Sequence, residues 1–155
     1  MINGVHHVSL STTDMDRLLA FYRDLIGLEQ RLDIQIAPGN APFEAVVGMP
    51  GASARAAGLR AGNLLLELFE YNHVTPKPVE EAPASDAGIR HICFDVTDID
   101  SEVARLKAAG VRFVSEPQYV APTIRSVYAR DPDGNIVEFQ EILPGGTLER
   151  GHVHR

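Results

Sequence analysis

Four residues of this chain have the types and the placing to hold a metal ion: His7, Glu67, His91 and Glu138. Each histidine opens a short stretch in which apolar and polar residues alternate, "HVSLS" and "HICFD". Each glutamate sits inside an apolar run, "LLLELF" and "NIVEFQ". Imidazole nitrogens and carboxylate oxygens together suit a divalent first-row metal. A carboxylate among apolar neighbours needs a partner in any case, because an unpaired buried charge is costly. Taken singly, such residues carry little meaning. A lone strand histidine is usually an ordinary packing residue, and a lone mid-strand glutamate is usually a surface or cross-strand partner. What joins the four is that they fall at equivalent points of a repeat.

The repeat is read by laying "HVSLSTTDMDRLLAFYRDLIGL", from His7, over "HICFDVTDIDSEVARLKAAGVR", from His91. The two match at His7/His91, Thr13/Thr97, Asp14/Asp98, Asp16/Asp100 and Ala20/Ala104. Each holds a strand pattern, then a Thr-Asp cap, then an apolar pattern of helical period. Leu18, Leu19, Tyr22, Leu25 and Ile26 form the first helical pattern, and Val103, Leu106 and Ala109 the second. Gly27 and Gly110 end the helices. The ends of the modules match as well: "GNLLLELFEY" (62–71) lies over "GNIVEFQEIL" (134–143), which aligns Glu67 with Glu138. The first module is longer, with its extra residues between Pro38 and Ala61.

Each module therefore reads as strand, helix and three strands, an α+β pattern. Strands are expected near 4–11, 28–37, 54–60 and 63–71, and again near 89–97, 111–120, 123–130 and 135–142. "RDPDGN" (130–135) is a hairpin turn, since Asp-Gly accepts positive φ. Residues 1–71 form the first module, 72–87 a proline-bearing extended linker, 88–145 the second module, and 146–155 a tail.

Neighbours on a strand point to opposite faces. In the first strand Val8 and Leu10 take one face with His6, and His7, Ser9 and Ser11 take the other. In the repeat, Ile92, Phe94 and Val96 oppose His91, Cys93 and Asp95. The apolar face belongs on the module's helix, so His7 and His91 look the other way. Glu67 and Glu138 follow the same count. His6 is then expected to do no chemistry. Cys93 is expected to be a small buried apolar residue, His73 to be solvated in the linker, and "GHVHR" (151–155) to be a frayed tail.

Composition narrows the classes. The chain has 155 residues, 45% apolar and 23% charged, with a formal net charge of −7. That charge, with no basic run, argues against nucleic-acid binding. No apolar run approaches a membrane span, and the start lacks a signal-peptide pattern. The single Cys93 forms no internal disulfide, which fits a reducing cytoplasmic home.

"HHVSLSTTDMDRLLAFYRDLIGL", "LLLELFEY", "GIRHICFDVTDID" and "RDPDGNIVEFQE" together resemble the vicinal oxygen chelate superfamily. That superfamily includes glyoxalase I, methylmalonyl-CoA epimerase, extradiol dioxygenases and fosfomycin resistance proteins. The resemblance implies two βαβββ modules forming a curved mixed-sheet cleft, with one divalent ion (Zn, Ni, Co, Mn or Fe) on His7, Glu67, His91 and Glu138. It also implies a small substrate with adjacent oxygens, and modules that pair within one chain or across a dimer; a homodimer is expected because each module leaves exposed sheet edges. A carboxylate at Glu67 looks like glyoxalase I, whereas the epimerase carries glutamine at that place. His7, His91 and Glu138 alone resemble the site of an Fe(II) dioxygenase. The expectation is a glyoxalase I-like lyase or isomerase that moves a proton next to a carbonyl. Glu138 is slightly preferred over Glu67 as the base. The alternatives are a dioxygenase and a non-enzymatic drug-binding protein on the same fold. "NAPFEAVVGMPGA", with Phe43, Val46, Val47 and Met49, reads as an apolar loop over the ligand. Arg17, Arg55, Arg60, Arg125 and Arg130 are scattered and define no binding site for glutathione or coenzyme A.

Overall fold

Matched aspartates begin the helix of each module. Asp14 Oδ1 accepts the Arg17 N–H at 3.0 Å, and Asp98 Oδ1 accepts the Ser101 N–H at 3.2 Å. Each carboxylate thus satisfies a backbone donor that the first turn leaves open. In a computed structural model that describes residues 1–74, 77, 81–146 and 148, helix α1 spans Met15–Leu19 and continues as a π-helical stretch over Ala20–Leu25. Helix α3 spans Ile99–Ala108. The glycines that follow, Gly27 and Gly110, both take φ 90°, a conformation that side-chain-bearing residues rarely adopt.

The described residues form eight strands: β1 His7–Ser11, β2 Glu29–Ile36, β3 Ala54–Ala61, β4 Leu64–Tyr71, β5 His91–Asp95, β6 Gln118–Ala121, β7 Ile124–Arg130 and β8 Ile136–Ile142. They form two four-stranded mixed sheets, ordered β1-β4-β3-β2 and β5-β8-β7-β6. The first strand of each sheet pairs in parallel with the last, and the remaining pairs are antiparallel. The chain divides into two compact units, one carrying β1 to β4 and the other β5 to β8. This is the α+β architecture that the repeat predicts.

Burial follows the period-2 count. Val8 and Leu10 are half-buried while His7, Ser9 and Ser11 are exposed, and β5 repeats the pattern. In the first unit Leu18, Leu19 and Tyr22 bury against Leu59, Leu66 and Leu68. In the second, Ile99, Val103 and Leu106 bury with Val127, Val137 and Phe139. Matched ion pairs brace both units. Arg55 on β3 reaches Asp16 at 2.6 Å and Asp33 at 2.8 Å, and Arg125 on β7 reaches Asp100 at 2.7 Å.

Four elements differ from expectation. β1 starts only at His7. The strand expected at 111–120 is reduced to Gln118–Ala121 plus an isolated bridge between Phe113 and Ala129. Pro117, which has no N–H to give a ladder, interrupts it. The first helix widens to π geometry where adjacent Phe21 and Tyr22 both bury, edge to face at 4.9 Å. The expected loop after Pro38 contains a helix, α2, Ala41–Val47. Asn40 caps it by accepting the Phe43 N–H at 3.2 Å, and Pro42 fits its first turn, where no partner for an N–H is needed. The turn-like residues that suggested a loop are thus the start signals of a helix.

Of the expected linker, residues 75, 76 and 78–80 lie outside the described residues, as does the "GHVHR" tract. Among the described residues, no helix is long and apolar enough to cross a membrane.

Leu106 is fully buried and joins α3 to its sheet. Leu106→Ala is expected to cost about 2–5 kcal/mol, read as a lower midpoint in urea unfolding at unchanged slope.

Candidate metal centre

Parallel pairing fixes the candidate ligands. In the first unit His7 lies beside Leu65, and Ser9 lies beside Glu67. In the second, His91 lies beside Ile136, and Cys93 beside Glu138. Each glutamate is therefore one same-face step beyond its histidine, on the neighbouring strand. His7 Nε2 comes to 3.4 Å from Glu67 Oε2, and His91 Nε2 to 3.1 Å from Glu138 Oε2. Two donors bound side by side on one ion at ordinary bond lengths lie about 3 Å apart, so each pair has the spacing of adjacent ligands. The four predicted ligands thus form two pairs, one in each unit. Among the described residues, no group of three or more His, Cys, Asp or Glu is gathered to hold a metal ion. Each unit by itself fits half a ligand set.

The surroundings of the two pairs differ. Beside the first, His6 Nδ1 lies 3.0 Å from His7 Nδ1, with the rings edge to face at 5.3 Å. The expectation for His6 is an outward or helix-side place without chemistry, and His6 is exposed. It precedes β1, where strand alternation no longer governs it. With the His7 proton on Nδ1 and directed at His6, His7 Nε2 keeps a free lone pair for a metal. The adjacency of the two histidines was the available signal.

Beside the second pair, buried Ser126 on β7 donates its hydroxyl hydrogen bond to Glu138 Oε1. Tyr128 stands opposite Glu138 across the β7–β8 ladder, and its ring lies 5.3 Å from the His91 ring. Burial, with help from the charge of Glu138, raises the Tyr128 hydroxyl above its ordinary range. In the first unit Gly58 stands opposite Glu67, and Ala56 lies two residues before it, where the second unit has Tyr128 and Ser126. Glu67 consequently lacks the hydroxyl that ties Glu138, and its side chain is 24% exposed against 14%. Ser126 and Tyr128 were missed. Their signal was their place on the same face of a strand adjoining Glu138.

Cys93 is exposed rather than buried, because it lies on the face shared with His91. Its thiol nevertheless points toward Glu138. Desolvation, followed by the charge of Glu138 and a hydrogen bond to it, pushes the thiol up to about 12. His73 is half-buried rather than solvated. Its Nδ1 accepts the Ser53 N–H at 3.4 Å, and its ring meets Tyr71 edge-on at 5.8 Å. Of the scattered arginines, Arg55 and Arg125 brace helix to sheet, and Arg130 donates to the carbonyls of Gly134 and Ala82 at 2.7 and 2.8 Å.

Comparison with known proteins adds to this geometry. The family model for the Glyoxalase/Bleomycin resistance protein/Dioxygenase superfamily matches residues 4–139. The chain is 32% identical to a 2-epi-5-epi-valiolone epimerase of Actinomyces sp, over 95% of this chain and 84% of that protein. It is 29% identical to an ethylmalonyl-CoA/methylmalonyl-CoA epimerase of Cereibacter sphaeroides, over 92% of this chain and 100% of that protein. Among solved structures, a glyoxalase family protein from Bacillus cereus superposes with a TM-score of 0.81 at 23% identity, covering 92% of this chain and 96% of that one.

A raised thiol reacts slowly, since the thiolate is the nucleophile. Iodoacetamide is expected to alkylate Cys93 in EDTA-treated protein far more slowly than a small-molecule thiol at pH 8. The rate should still be rising at pH 10, as followed by mass spectrometry.

Proposed function

We propose that this chain, which belongs to the glyoxalase/bleomycin resistance protein/dioxygenase superfamily, is a divalent-metal-dependent isomerase whose second carboxylate, Glu67, sets it apart from the glutamine of methylmalonyl-CoA epimerase. In this reading it moves a proton at a carbon next to a carbonyl in a small substrate with adjacent oxygens. The observation that carries the reading is the duplicated His–Glu pair, His7 with Glu67 at 3.4 Å and His91 with Glu138 at 3.1 Å. Epimerases among its relatives support the reaction class. A full second carboxylate at Glu67 favours a four-ligand site over the two-histidine, one-carboxylate set of a dioxygenase.

His7, Glu67, His91 and Glu138 would hold the ion together, the two pairs coming from one chain or from two copies of it. A divalent ion bound there would polarise the carbonyl as a Lewis acid. The side chains divide the remaining work. Glu138, held by Ser126 and flanked by Cys93 and Tyr128, is the fixed carboxylate. Glu67 has greater freedom, and it takes the proton from the carbon beside the carbonyl and returns it. This places the base on Glu67 rather than on Glu138, the preference drawn from sequence. General acid–base catalysis of this kind contributes ~10²–10⁴-fold. His6 orients His7 through the Nδ1 contact. A homodimer belongs to this reading, because the edge strands β2 and β6 carry exposed Leu32, Ile34, Tyr119 and Val120.

Metal analysis of the purified protein is expected to give one divalent ion per site. Glu67→Gln is expected to keep the ion and lose about 10²-fold or more of solvent-deuterium exchange at the carbon next to a carbonyl. O₂ uptake with loss of a catechol, and no such exchange, would replace this reading with the dioxygenase. His6→Ala is expected to weaken metal affinity about 10–100-fold, measured by competition with a chromophoric chelator.

A further inference from the structure

The face of β4 that carries Glu67 continues into a group of aromatic rings. Phe69 and Tyr71 follow Glu67 at alternate positions, and Phe69 lies beside Ser11, on the same side of the sheet as His7. Helix α2 adds Phe43. The ring centroids form a triangle: 5.8 Å between Phe69 and Tyr71, and 6.3 Å from Phe43 to each. The three planes lie within 16–18° of one another. All three residues are half-buried.

The second unit has no counterpart to this group among the described residues. In the second unit the places equivalent to Phe69 and Tyr71 are Gln140 and Ile142, counted from Glu138 as those are from Glu67. Where the first unit inserts α2 between β2 and β3, the second joins β6 to β7 through Pro122 and Thr123. The buried Phe21–Tyr22 pair packs edge to face at 87°, whereas these three rings lie flat to one another. Stacked, half-buried rings leave negative π-surface on the outer face of the stack, which suits the C–H face of a substrate ring. Phe69 is about 7 Å along the strand from Glu67, so a compact ring whose oxygens met Glu67 and His7 would reach the nearest aromatic face.

We infer that Phe43, Phe69 and Tyr71 form a specificity wall, and that the substrate is a cyclic α-oxygenated ketone whose ring lies against it while its adjacent oxygens meet the His7–Glu67 pair. This inference rests on the proposed proton-transfer function. It makes α2 the element that selects the substrate, with Phe43 as its reading residue.

The test compares 2-hydroxycyclohexanone with acyclic 3-hydroxybutan-2-one, two α-hydroxy ketones that differ in the ring. The metal-loaded protein is expected to exchange the proton beside the carbonyl of the cyclic ketone with a kcat/KM about 10-fold higher. Phe43→Leu, which keeps apolar bulk but removes the flat face, should erase most of that ratio through KM. Phe43→Tyr, which keeps the ring, should retain it. Equal kcat/KM for the two probes in wild type, or equal loss in Leu and Tyr variants, would overturn the wall. A second readout needs no turnover: NMR of the EDTA-treated protein should show perturbations at Phe43, Phe69 and Tyr71 with the cyclic probe and not with the acyclic one. If neither probe exchanges but those perturbations occur, the proton-transfer reading falls and the wall stands. If the perturbations do not occur, the wall falls whatever the exchange result.

Discussion

Parallel pairing between the first and last strands of each module is the constraint on which the rest depends. It aligns Ser9 with Glu67 and Cys93 with Glu138, and so sets each histidine diagonally next to its glutamate on one face. A slip of one residue would send the glutamate to the helix side of the sheet. Burial on that side prevents the slip. Leu66 and Leu68, and Val137 and Phe139, are held in the core by their helices, and the glutamate between each pair is forced to the opposite face. The apolar core thus fixes where the polar site can be.

Around this shared frame the two halves have diverged. The second half surrounds its glutamate with Ser126, Cys93 and Tyr128 and binds it firmly. The first has small residues at the corresponding places, Ala56 and Gly58, a histidine contact from His6, and an aromatic group next along the strand. Two carboxylates with the same backbone setting can then do different work: a hydrogen-bonded carboxylate is restrained, and one without that bond can move. The inserted helix α2 adds Phe43 to the aromatic group of the first half.

Much of the fold was legible because it is governed by local rules. Asp14 and Asp98 are read as caps from their place before an apolar helical pattern. Gly27 and Gly110 are read as stops, and the alternation in "HVSLS" and "HICFD" gives the exposed face. The same rules misread the stretch after Pro38, where Asn40 and Pro42 signal a helix start as readily as a turn. They also overextended the strand that Pro117 interrupts. His6 escaped because alternation holds only inside a strand, and β1 begins one residue later.

The sequence by itself determined the duplication and the α+β modules, and it singled out His7, Glu67, His91 and Glu138 as candidate ligands, since residue type, period and repeat position are all properties of the chain read in order. The tertiary structure decided which side chains meet across elements: Ser126 and Cys93 with Glu138, and Phe43 with Phe69 and Tyr71. Those contacts depend on strand register and on where an inserted helix docks. Both are set by packing among residues distant in sequence, and no local pattern encodes them.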